Sequence, residues 1–152
     1  MTARSRLGFS LVEVTLALGV AAFCLLAVFG LLPIGLKTQQ SAIEQTAATR
    51  IVSAAASDLR NTARTATTSS LFAINIPANT ASSSSELFFD IEGRFSPAIG
   101  ANSRYRLTIT FSPNSTGRRG ATLAHLLVSW PAAATTVNAA GVAETFLALD
   151  RN

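Results

Sequence analysis

The sequence is poor in the residues that most enzyme and metal chemistry needs. It holds one cysteine, Cys24, and one histidine, His125. A single cysteine excludes a disulfide within the chain. One cysteine and one histidine, far apart, exclude the usual Cys/His zinc sets. Charge is sparse as well, with 12 Lys and Arg, 8 Asp and Glu, and a net charge of +4. Setting aside Arg4 and Arg6, which precede the main apolar run, leaves ten bases against eight acids, a balance of +2. That is too small and too scattered for a nucleic-acid footprint, which clusters Lys and Arg on one face. Arg104, Arg106, Arg118 and Arg119 read as solvated strand and turn charges. Asp90 and Glu92 share a strand face by spacing, but calcium takes six or more oxygens from a dense loop. The Ser-rich stretch 78–86 has no nearby base and reads as a connector.

What the chain does have is a long apolar run. Val14 to Leu32 is 19 residues without a charge, about 28 Å as a helix, close to the thickness of a bilayer core. It is too long for the apolar part of a secretory signal and lacks a small-residue cleavage site after it. Cys24 lies inside this run as one more small apolar residue. Arg4, Arg6 and the initial amine lie before the run and Lys37 after it, so the excess of basic residues predicts a cytoplasmic N-terminal side and an outer C-terminal side. Pro33, flanked by Gly30 and Gly35, predicts a kink near 29–33, because proline lacks the amide of the preceding turn.

Glu13 interrupts this pattern. At the centre of a bilayer a carboxylate costs about 2.5–3.5 kcal/mol. With a helix starting near Phe9, however, Glu13 lies only about 6 Å along it, where the helix dipole favours an anion.

The order of residues around this acid is specific: a short basic leader, then Gly8, then Phe9-Ser10-Leu11-Val12-Glu13, then an uninterrupted apolar helix. It resembles the prepilin signal of type IV pilins and type II secretion pseudopilins. The stretches "GFSLVEVTLALGVAAFCLLAVFGLLPIGL" and "AIEQTAA", with a late "SWP" and "ETFLAL", are similar to the pilin-like proteins called Verru_Chthon cassette protein B. The resemblance implies cleavage between Gly8 and Phe9 by a prepilin peptidase, which also methylates the new amine of Phe9. It implies that Glu13 serves subunit assembly by neutralising the amine of a neighbouring subunit. Physically, pairing offsets part of the cost of burying each charge and sets the register between helices, as one polar group does in coiled coils. The implied partners are the peptidase/methyltransferase, other pilin-like subunits in a homo- or hetero-oligomeric filament, and the bacterial inner membrane. The implied topology is single-pass, with a periplasmic C-terminal domain or a place in an extracellular filament or pseudopilus. Within the resemblance, the single cysteine departs from adhesion pilins with a disulfide-closed loop, and the missing calcium loop departs from main pseudopilins.

Beyond Pro33, Ile43, Ala47, Ile51, Val52, Ala55 and Leu59 recur at helical spacing and predict an amphipathic stripe. One kinked helix is expected from Phe9 to Arg64, fraying in the Thr-rich stretch 62–70. Strands are expected at 71–76, 86–91, 104–111, 121–130 and 144–150, with a turn at 112–120. The alternation in 104–111 is the clearest. His125 reads as a sheet-surface or satisfied residue. The fold expected is therefore α+β, a long N-terminal helix on a small antiparallel sheet. Its parts are a leader at 1–8, a membrane-spanning helix at 9–36, an amphipathic helix at 37–64 and a β-sheet domain at 65–152. No enzyme activity, cofactor, metal or small-molecule substrate is expected. The competing expectation is a single-span anchored envelope protein whose β-domain binds a partner without polymerising.

Overall fold

The computed structural model describes residues 8–77, 82–112 and 121–150. One helix, α1 (Leu11–Asn61), is followed by five strands: β1 (Ser83–Phe89), β2 (Phe95–Ser96), β3 (Tyr105–Ser112), β4 (Thr122–Trp130) and β5 (Gly141–Leu149). The strands form one antiparallel sheet in the order β2-β1-β3-β4-β5. The fold is α+β. The chain divides into two units, up to Ser41 and from Ala42 onward.

In the second unit the sheet follows its side-chain alternation. Tyr105, Leu107, Ile109 and Phe111 of β3 are buried, and the register sets Leu107 against Val128 and Ile109 against Leu126. Ala48, Ile51, Val52, Ala55, Ala56 and Leu59 of α1 join the same apolar core. Three alanines on this face let the helix backbone lie close to the sheet. Ile43, expected on the stripe, is 58% exposed; the buried line instead runs from Ala48 and turns Asp58 inward.

Five sequence expectations are corrected. The helix runs from Leu11 to Asn61, shorter at both ends than Phe9–Arg64. The segment 71–76 is no strand and holds one isolated bridge, Thr68 to Asn75. Its alternating Phe72, Ile74 and Ile76 do point into the core, but its amides bond to the side chains of Asp58 and Ser69 and to the Thr67 carbonyl instead of a neighbouring strand. Conversely, Ser83, Ser84 and Ser85 belong to β1, pairing with Phe111, Thr110 and Ile109. Cross-strand pairing here outweighs the weak strand preference of serine. β1 stops at Phe89, so Asp90 and Glu92 share no strand face. Asp90 heads a turn, with its carboxylate accepting the Arg94 amide at 2.7 Å and Gly93 at φ +83°, a conformation that favours glycine. β5 begins at Gly141 rather than 144. Most of the turn expected at 112–120, with Arg118 and Arg119, lies outside the described residues.

Candidate functional site

Gly8, Phe9 and Ser10 precede the helix in non-helical conformation, and all three are exposed. The first helical hydrogen bond runs from the Val14 amide to the Ser10 carbonyl, 3.2 Å, which makes Ser10 the N-cap and puts Glu13 in the first turn. Ser10 and Glu13 thus occupy the serine and glutamate positions of a capping box. The Ser-x-x-Glu spacing is the signal in the sequence that marks this helix start. No bond between their side chains is present. Among the described residues nothing pairs with the Glu13 carboxylate. Phe9 is 82% exposed, and nothing lies within 4 Å of where a Gly8 side chain would project.

Every residue from Leu11 to Ser41 is exposed. Phe9, Glu13, Ala17 and Ala21 recur every fourth residue and line one shallow apolar face with Val14 and Leu18. Residues four apart lie on one side of a helix, so small Ala17 and Ala21 continue the line below the acid. Pro33 stands inside the uninterrupted helix and removes the amide that would bond to the Phe29 carbonyl. The helix is long and apolar enough to cross a membrane.

The polar groups of the second unit are engaged with one another. Glu44 of α1 pairs with Arg104. The Tyr105 hydroxyl beside them titrates above its usual 10.0, first because it is buried and then because of the Glu44 charge. Arg106 donates to the Ala132 carbonyl at 3.0 Å, reaches Glu86 at 3.6 Å and covers the Phe88 ring. Arg104 and Arg106 are therefore held by acids and carbonyls. His125 lies on the outer face of the sheet, 2.9 Å from Glu144 and stacked on Phe146 at 4.4 Å. Among the described residues no three of His, Cys, Asp and Glu converge.

One cluster escaped sequence reasoning. Asp58, in the last turns of α1, is 5% exposed. Its carboxylate accepts the Leu71 amide at 3.0 Å, the Phe72 amide at 3.1 Å and the Ser70 hydroxyl at 3.3 Å. Burial pushes this carboxyl up, but bonds from Ser69, Leu71, Phe72 and Ser70 together hold it below its ordinary 3.8. Asp58 thus ties the segment after the helix onto the core. In the sequence it is one acid within an alanine-rich stripe, and its donors lie more than ten residues away.

Comparison of the chain with family models, with curated proteins and with solved structures yields no match.

Proposed function

We propose that the chain is a membrane-anchored pilin-like subunit, a pseudopilin or minor pilin, processed between Gly8 and Phe9 and assembled into a filament or pseudopilus. The observation that carries this reading is Glu13, a carboxylate without a partner among the described residues, at the start of a helix whose every side chain to Ser41 is exposed. An exposed apolar helix of this length needs lipid or other helices around it. A lone acid at its head needs a cation once water is removed.

The mechanism follows from this arrangement. The helix holds the subunit in the bacterial inner membrane, with its N-terminal end on the cytoplasmic side and the sheet in the periplasm. A prepilin peptidase reaches the exposed Gly8–Phe9 bond ahead of the first helical turn and cuts it, and the new amine of Phe9 is methylated. During assembly the helix leaves lipid for a bundle of like helices, where Glu13 meets the amine of a neighbour and fixes the axial step. Ala17 and Ala21 allow that neighbour to approach closely, as small residues do between membrane helices. Pro33 gives the helix a point of bending on the way. The subunit is not an enzyme in this reading, and its own chemistry is limited to charge pairing.

The test is the intact mass of the membrane-extracted chain after co-expression with a prepilin peptidase. Loss of residues 1–8 and gain of one methyl group is the expected result. A chain that keeps its first eight residues under those conditions contradicts the proposal and leaves the competing function, an anchored envelope protein that never polymerises.

A further inference from the structure

The two edges of the sheet are built differently. One edge is β2, a two-residue strand followed by Pro97, and short edges with proline limit further pairing. The other edge is β5, nine residues long and paired with β4 from Gly141 to Leu149. Among the described residues no strand pairs with its far side. β5 contains no proline, lysine or arginine, and its one charge, Glu144, is turned to the outer face, where it meets His125. An edge of this kind offers a row of backbone donors and acceptors to another strand.

The order of side chains along β5 indicates which strand fits. Two copies laid antiparallel about a two-fold axis at Thr145 set Gly141 against Leu149 and Ala143 against Leu147 on the core face. On the outer face Val142 meets Ala148, and Glu144 meets Phe146. Small residues oppose leucines, and no two charges face each other, which cross-strand pairing favours. Moving the axis to Glu144 opposes two carboxylates. Moving it to Phe146 leaves Gly141 and Val142 without a partner within the strand. We propose that two copies of this chain pair through β5, antiparallel and centred on Thr145, joining two five-stranded sheets into one. Nothing in this pairing uses Gly8, Phe9 or Glu13, so it stands apart from leader processing.

The experiment uses the full chain in detergent, with Cys24→Ser so that an added cysteine is the only thiol. At the axis residue 145 meets its own copy with Cα atoms about 4.5–5.5 Å apart, within disulfide reach. Thr145→Cys is therefore expected to give a covalent dimer on mild oxidation. Leu123→Cys, on the outer face of β4, reports stacking of sheets face to face and is expected to stay monomeric. Phe146 is 70% exposed, so a charge there leaves the core intact. Phe146→Glu opposes acid to acid twice and is expected to weaken dimerisation about tenfold. Phe146→Lys faces Glu144 of the second copy and is expected to retain or tighten it. A monomeric Thr145→Cys chain, equal cross-linking through Leu123→Cys, or Thr145→Cys trapping a different protein in place of a second copy overturns the proposal. So does an equal effect of the two Phe146 charges.

Discussion

The first and second parts of α1 are one continuous helix with opposite fates. From Leu11 to Ser41 every side chain is exposed, including fifteen large apolar ones from Leu11 through Leu36. From Ala48 to Leu59 the helix buries a stripe that includes three alanines against the sheet. The second part therefore finds its apolar partners within the chain, and the first part has none among the described residues. The difference also sorts the acids. Glu44 and Asp58 have partners supplied by the fold, whereas Glu13 has none among the described residues.

Truncating a leucine in each part separates the two most strongly. Leu126, fully buried, is expected to cost about 2–5 kcal/mol as Leu126→Ala. Leu18→Ala, at a 64% exposed position, is expected to stay within about 0.5 kcal/mol. Urea unfolding of the detergent-solubilised chain, followed by the fluorescence of its single tryptophan, Trp130, measures both. Equal losses would mean that the two parts share one core.

Asp58→Ala comes next, with an expected loss of about 1–3 kcal/mol, because the Leu71 and Phe72 amides lose their acceptor. The same group gives a pH signature. Its folded pKa is depressed, so its contribution is complete above the unfolded value near 3.8 and is lost as pH falls through the lower folded value. Asp58→Asn should therefore flatten the acid limb of the stability curve, which a pH series of urea midpoints reads directly.

Gly141→Ala tests the packing of β5 on its neighbour. A Cβ at Gly141 would fall on the Trp130 indole, and overpacking of this kind costs about 1–3 kcal/mol. A shifted Trp130 emission maximum should accompany the loss. The smallest effect is expected from Asp150→Asn. Asp150 pairs with Arg64 at 2.7 Å, but both side chains are 65% exposed, and such pairs contribute about 0–1 kcal/mol. A large loss there would show that the end of β5 is held more firmly than its exposure indicates.

How much of this was legible in the sequence depended on whether a residue's partners were periodic or particular. The β3 alternation of Tyr105, Leu107, Ile109 and Phe111 was readable because one face of a strand repeats every second residue. The apolar run after Glu13 was readable by length alone. Ser83 to Ser85 were missed because their strand character comes from Phe111, Thr110 and Ile109 across the sheet, and local composition carries no trace of that. The segment 71–76 misled because its core-facing alternation imitates a strand, while its backbone bonds go to Asp58, Ser69 and Thr67. At the candidate site, Gly8, Phe9 and Glu13 were read from order alone. The N-cap role of Ser10 and the lack of a partner for Glu13 among the described residues emerge only from the folded chain.

The proposed function requires Glu13 to find its cation in another subunit. Incorporation of Glu13→Ala chains into filaments or pseudopili, in cells that also process the leader, tests it most directly. Glu13→Ala is expected to be cut and methylated as the native chain is, yet to enter filaments poorly. Incorporation as efficient as that of the native chain would contradict it.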